Sequence, residues 1–215
     1  MAVSLLFWAC LLLPGYVLVR RVSPDDLRSG MLGTVALSSL GAFALLSPVS
    51  ILCYLLRMPV AVFAVAAVMA MVAALVQIIR RGWWRDLGKL LAAGIGVELL
   101  ILILDMVMGG RVGAFIAGGD ARLHLARIRF MLDHGMSNQD PFIAATCFFP
   151  VYHTNLLHAL HAACSYVTRV DSLSAWFMNL VWAKLLIASG YYFLAWCVFG
   201  RRWVALIVAL FAIGW

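Results

Sequence analysis

The sequence has very little charge. Charged residues make up 12% of its 215 residues, and only nine residues are acidic, whereas about a quarter of an average soluble domain is charged. Hydrophobic residues make up 66% of the chain, and the mean hydropathy is +1.04. One water-soluble core of this size cannot bury so much apolar surface. The composition therefore excludes a soluble enzyme, a nucleic-acid-binding domain and a disordered chain, and it predicts a membrane protein with several spans.

Motifs of several common enzyme classes are also absent. The chain contains no GxxxxGK[ST] phosphate-binding loop, no GxSxG nucleophile turn, no HExxH zinc motif and no EF-hand loop. Nucleotide hydrolysis and serine hydrolase chemistry therefore have no support. The five cysteines form no CxxC pair and lie mostly in apolar stretches, which favours thiols that fill the core. A disulfide between Cys147 and Cys164 stays open as an alternative.

Five long apolar runs are present, and about 20 apolar residues cross one bilayer. The runs cover roughly 2–19, 31–56, 59–79, 89–109 and 173–199. The first run has no basic residues before it, which favours a retained span over a cleaved signal peptide. A last apolar run, 203–215, is too short to cross, so we expect the full-length protein to continue beyond it. We therefore predict an all-α, polytopic bundle, with a three-span module at 1–88 and a second module at 89–215.

Small groups of basic residues separate the apolar runs and predict the topology. These groups are Arg20, Arg21 and Arg28; Arg80, Arg81, Arg85 and Lys89; and Arg201 and Arg202. The positive-inside rule places all three groups in the cytoplasm. The N-terminus, the turn at 57–59 and the segment 110–172 are then extracytoplasmic. We expect a multi-pass protein of the plasma (inner) membrane, in which the net charge of +7 encodes topology and not nucleic-acid binding.

The segment 110–172 holds all five histidines and is predicted to carry two amphipathic helices on the outer membrane surface. The first helix, 120–134, places Asp120, His124 and Arg127 on adjacent turns of one face. A carboxylate, an imidazole and a guanidinium in this arrangement can bind a phosphate, hold a divalent ion or deprotonate a hydroxyl. The alternative is an interfacial helix whose charges serve solvation and capping.

The second helix, 152–168, carries a polar row that should face water or a protein cavity. The row consists of Thr154, His158, His161, Ser165 and Thr168. His158 and His161 have i, i+3 spacing and His153 comes just before them, which is how a metal site can begin, although no third ligand lies at a fixed spacing. Packing histidines and substrate contacts are the alternatives. Asp140 either caps a turn or points at a ligand.

Residues 105–202 resemble the N-terminal part of the GT-C superfamily of integral membrane glycosyltransferases. This superfamily includes protein O-mannosyltransferases, lipid A aminoarabinose transferases and mycobacterial arabinosyltransferases. The motifs that carry the resemblance are GGDARLHLARIRFMLDHG, with the acidic residue Asp120, followed by QDPF, YHTNLLHALHAA and FGRR. Two features depart from the family pattern. Asp-Ala at 120–121 replaces a paired acid, which leaves a divalent-cation cofactor open, and three further spans precede the span that enters the loop.

The resemblance implies transfer of a sugar from a polyprenyl phosphate to an acceptor hydroxyl at the extracytoplasmic face. Asp120 would be the general base or would orient the acceptor. Arg127, with Arg122 or Arg129, would neutralise the departing lipid phosphate. The other substrate-binding residues would be His124, Asp140, His153 and His158. Two other classes stay open, namely a non-catalytic assembly or binding subunit acting with further protein subunits, and a histidine-rich metal or transport protein.

Overall fold

The structure is a computed structural model that describes residues 2–22, 30–85, 121–137 and 155–214, with isolated positions between 88 and 107. All regular structure in these parts is helical, and the described positions between 88 and 107 are helical as well. The helices are α1 (Ala2–Val22), α2 (Gly30–Leu55), α3 (Val60–Arg81), α4 (Ala121–His134), α5 (Leu156–Thr168), α6 (Ser172–Phe199) and α7 (Arg202–Gly214). The predicted all-α class is therefore confirmed.

Helices α1, α2 and α3 are each long and apolar enough to cross a membrane. Their bounds agree with the predicted runs 2–19, 31–56 and 59–79 to within three residues. Helix α6 has 28 residues and covers the predicted returning run 173–199. The three apolar helices indicate a membrane protein, and α1 is the most buried of them.

The predicted basic ends of α1 and α3 lie together. Arg21 donates a hydrogen bond to the Gln77 side chain, and the Arg20 guanidinium carbon lies 5.5 Å from the Trp83 ring centroid. At the other end of α3, the Met136 N–H donates to the Met58 carbonyl oxygen at 2.8 Å, which docks the end of α4 on the turn between α2 and α3. The turn at 57–59 and helix α4 are therefore neighbours.

Helices α1 and α2 are in close contact because two glycines meet where they cross. A Cβ atom added to Gly41 would lie 3.0 Å from the Gly15 Cα atom, and one added to Gly15 would overlap the Ser38 carbonyl oxygen. Small residues allow two helix backbones to approach in this way within a membrane. The contact fixes α1 at the centre of the bundle, where it also packs against α3, α5 and α6.

Helix α5 is internal, contrary to the expectation of a second surface helix. The Asn155 side chain caps its first turn by accepting from the Leu157 and His158 N–H groups, at 3.0 and 3.4 Å. Both the polar row and the opposite apolar side are buried over the first three turns, because α5 packs against α1, α3, α4 and α6. The polar row therefore faces protein. Cys164, on this helix, is a buried free thiol.

Helix α4 turns part of its polar face inward. Arg127 and Met131 are buried, whereas Arg129 and Asp133 are exposed and form an ion pair at 3.3 Å. Gly135 ends the helix with a φ of 84°, a left-handed conformation that glycine adopts readily. A charge that serves only solvation would point into water, whereas the Arg127 side chain points into the protein. The same orientation of α4 places the predicted site residues against α5 and α6.

Candidate functional site

A cavity of about 150 Å³ lies where α1, α4, α5 and α6 meet. Its wall includes Phe7, His124, His158, His161, Trp176 and Asn179. We call this space the histidine cavity. Two of the predicted substrate-binding residues thus line one space, although they lie 34 positions apart in the chain.

The imidazoles of His124 and His158 are in direct hydrogen-bonding contact. His124 Nδ1 and His158 Nε2 are 2.8 Å apart, so one ring donates its proton and the other accepts. Burial lowers the pKa of His158 to about 3, and repulsion from His124, His161 and Arg127 adds to this effect. His158 is therefore neutral near pH 7 and ties α5 to α4.

His161 is held in a similar way from α6. The Asn179 Nδ2 amide donates to His161 Nδ1 at 2.9 Å, so the proton of the neutral ring is on Nε2. Burial lowers the pKa of His161 to about 3, with a smaller contribution from His124. The two buried imidazoles on α5 consequently carry no charge at neutral pH.

Five aromatic rings form a column through the site. In order they are Phe7, His161, Trp176, His124 and His158, and the centroids of successive rings are 4.6, 4.9, 5.3 and 4.9 Å apart. Trp176 thus lies between two imidazoles that come from different helices. Stacking of this kind holds each ring in one orientation, so the cavity is organised before any ligand binds.

Arg127 provides a buried cation beside these neutral rings. Its side chain is 2% exposed and donates to the Ser137 carbonyl oxygen at 3.4 Å. The guanidinium is also hydrogen-bonded to the Tyr54 hydroxyl, which donates in turn to Met131 Sδ at 3.0 Å. The guanidinium is a cation, so this region carries a positive charge with low exposure to water.

An apolar groove of about 530 Å³ adjoins the histidine cavity. It lies between α2 and α6, and its wall includes Leu40, Phe43, Ile187 and Leu194. Leu157, Ala183 and Leu186 line both spaces. A hydrocarbon-lined groove beside a membrane-spanning helix therefore meets, at a shared wall, a cavity whose wall includes three histidines and an asparagine.

Three of the six predicted site residues are described, namely His124, Arg127 and His158, and the fold brings them together. The other three, Asp120, Asp140 and His153, lie outside the described residues. Among the residues that the structure describes, no group of three or more His, Cys, Asp or Glu side chains is placed to hold a metal ion. The three histidines of the cavity wall instead bond to each other and to an amide: His124 contacts His158, and Asn179 donates to His161.

Sequence reasoning missed three residues of this site, which are Tyr54, Trp176 and Asn179. Asn179 had a usable signal, because an amide in an apolar helix is costly in lipid and should face the protein interior. Trp176 lies three residues before it and therefore on the same side of α6. Tyr54 lies near the end of a continuous apolar run, and no local pattern connects it with Arg127.

In comparisons with known proteins, no family model matches the chain, and neither a curated protein nor a solved structure matches it.

Proposed function

We propose that the protein is a membrane glycosyltransferase that moves a sugar from a polyprenyl phosphate to an acceptor hydroxyl at the extracytoplasmic face of the plasma membrane. The observation that carries this proposal is the shared wall between the apolar groove and the histidine cavity. A lipid-linked sugar phosphate has a hydrocarbon tail and a polar head. Its tail needs an apolar groove, and its head needs an adjoining cavity with hydrogen-bonding side chains. The resemblance of residues 105–202 to the GT-C superfamily supports the same reaction.

In the proposed reaction, Asp120 accepts the proton of the acceptor hydroxyl. The acceptor oxygen then attacks the anomeric carbon of the sugar, and the bond between this carbon and the phosphate oxygen breaks. The electron pair leaves with the lipid phosphate, whose negative charge Arg127 neutralises. A buried guanidinium is well suited to this role, since water screens its charge little. His124, Asp140, His153 and His158 bind the substrates.

A non-catalytic binding or assembly subunit is the second candidate, with the N-terminus outside and further subunits as partners. It is favoured by the single acid at Asp120, where many members of the superfamily have two. The two proposals differ in what Asp120 does. A catalytic base must accept a proton, whereas a docking surface has no need of one.

Replacing Asp120 by asparagine tests the proposal. We expect Asp120→Asn to lower sugar transfer from a synthetic farnesyl phosphate sugar at least about 100-fold, because general-base catalysis typically contributes 100-fold or more. The assay follows release of farnesyl phosphate by the full-length protein in membranes that contain the natural acceptor. The amount of folded protein should stay unchanged.

Asp133→Asn is the matched control. Asp133 is an exposed carboxylate on α4 that pairs with Arg129, so its replacement should leave transfer intact. If Asp120→Asn transfers sugar as the wild type does, Asp120 is not the base. If the wild type transfers no sugar, and Asp120→Asn changes neither transfer nor the amount of folded protein, the protein is better described as an assembly subunit.

A further inference from the structure

Two polar groups in the wall of the histidine cavity have unused hydrogen-bonding capacity. Asn179 is 0% exposed, and while its Nδ2 donates to His161, its Oδ1 has no hydrogen-bond partner within the described parts of the chain. The indole N–H of Trp176 has none there either. Buried polar groups are nearly always hydrogen-bonded in folded proteins. The Asn179 oxygen is an acceptor and the Trp176 indole N–H is a donor, and both lie on one side of α6. A ligand at this position can make the two hydrogen bonds that these groups lack.

The unused groups match the chemistry of hydroxyls. A hydroxyl both donates and accepts, so a ring with several hydroxyls can accept from the Trp176 indole and donate to the Asn179 amide. The neighbouring imidazoles of His158 and His161 are uncharged near pH 7 because of their burial. No described residue in the cavity wall is a carboxylate. A ring with an ammonium group would lose its hydration without gaining an opposite charge in this wall, which is unfavourable.

The size of the cavity restricts the ligand further. Its volume of about 150 Å³ is smaller than the roughly 300–1,000 Å³ of pockets that hold drug-sized ligands. This volume suits one small ring and not an oligosaccharide. The shared wall with the apolar groove puts such a ring next to the space proposed for the lipid.

We infer that the wall formed by Asn179 and Trp176 is the sugar subsite, and that it selects a neutral, hydroxyl-bearing sugar over one with an ammonium group. This inference rests on the proposed function and narrows its donor to one chemical class. Asn179 and Trp176 are then specificity-determining residues of the transfer reaction.

Binding of farnesyl phosphate derivatives to the full-length protein in lipid nanodiscs at pH 7 tests the inference. The probes are farnesyl phosphate itself, its mannosyl, glucosyl, galactosyl and arabinosyl derivatives, and the amino analogue of each sugar. We expect at least one neutral sugar to bind about tenfold more tightly than farnesyl phosphate alone, which is the scale of one or two hydrogen bonds in a buried site. The amino analogue of that sugar should lose this factor.

Two variants assign the effect to the proposed residues. Asn179→Leu should remove most of the tenfold factor, and Trp176→Phe should reduce it about threefold while keeping an aromatic ring in the column. Trp182→Phe is the matched control, because the Trp182 indole N–H already donates to Ser4. The factor is a ratio of two affinities of the same variant, so a partial loss of folded protein does not change it.

The outcomes separate the inference from the proposed function. Equal binding of amino and neutral sugars, or an unchanged factor in both Asn179→Leu and Trp176→Phe, overturns the sugar subsite and leaves the result for Asp120→Asn to decide the reaction. If the wild type binds a neutral sugar derivative about tenfold more tightly than farnesyl phosphate, and both variants lose this preference, the subsite is upheld even if Asp120→Asn remains active. If farnesyl phosphate and all its derivatives fail to bind, both proposals fall.

Discussion

Replacing Gly15 by leucine should prevent α1 and α2 from packing and leave little folded protein in the membrane. Gly15→Ala should lower the free energy of unfolding by about 3 kcal/mol, at the upper end of the usual cost of overpacking. The reason is geometric, since a Cβ atom at Gly15 overlaps the Ser38 carbonyl oxygen and the Ala42 nitrogen. Both are backbone atoms of α2 and cannot rotate away. The two helices must therefore separate, and the contacts of α1 weaken with them.

Gly190→Ala is the matched control for this prediction. Gly190 is also a helical glycine, but apart from its chain neighbours and its own helix backbone, no atom of the described residues lies within 4 Å of the position of its Cβ. Its replacement should be neutral or stabilising by up to about 1 kcal/mol, because alanine favours helix more than glycine does. The measurement is the temperature at which half of the purified protein remains monodisperse in detergent. Equal midpoints for Gly15→Ala and Gly190→Ala would contradict the close crossing of α1 and α2.

The helices of the bundle could be predicted from the sequence because the bilayer requires long apolar runs. The charge pattern placed the basic ends of α1 and α3 on the same side of the membrane, and in the structure Arg20 and Arg21 at the end of α1 lie beside Trp83 and Gln77 at the end of α3. Such predictions need no knowledge of packing. They follow from the cost of placing charge in hydrocarbon.

The direction in which α4 faces could not be predicted in this way. Helical periodicity separates an apolar stripe, with Leu125 and Ile128, from a polar face with His124 and Arg127, and it favours burial of the stripe. The structure buries Arg127 along with Ile128. The cost of burying a guanidinium is offset by partners such as Tyr54, which come from another helix. A hydropathy scale includes the cost of burying a guanidinium, but it does not include hydrogen-bond partners that come from another helix.

The site on α6 depended on packing in the same way. The run 173–199 reads as a simple span, and within it Asn179 is a polar interruption. Its partner, His161, lies 18 positions earlier and on a different helix. The sequence could indicate that Asn179 faces protein. Which imidazole it meets depends on how α5 lies against α6, and no local pattern contains that information.

Acidification should destabilise the protein steeply below about pH 6. Burial lowers the pKa of His158 and of His161 to about 3 in the folded protein, against 6.5 for an ordinary histidine. Between these two values the unfolded chain binds more protons than the folded one, so the free energy of unfolding falls as the pH falls. Each group contributes up to about 1.4 kcal/mol per pH unit. Two groups together approach about 3 kcal/mol per unit, whereas above pH 7 both are neutral in both states and contribute no slope.

The pH dependence of the thermal midpoint in detergent, from pH 8 to pH 4, measures this effect. His158→Gln and His161→Gln should each remove about half of the slope below pH 6, whatever they do to the midpoint at pH 8. His134→Gln is the matched control, because His134 is exposed at the end of α4 and stacks on Phe130. A midpoint that is flat between pH 7 and pH 5, or a full slope in a variant lacking both His158 and His161, would mean that these imidazoles are hydrated. The histidine cavity would then lack the pair of uncharged imidazoles on which selection of a neutral sugar depends.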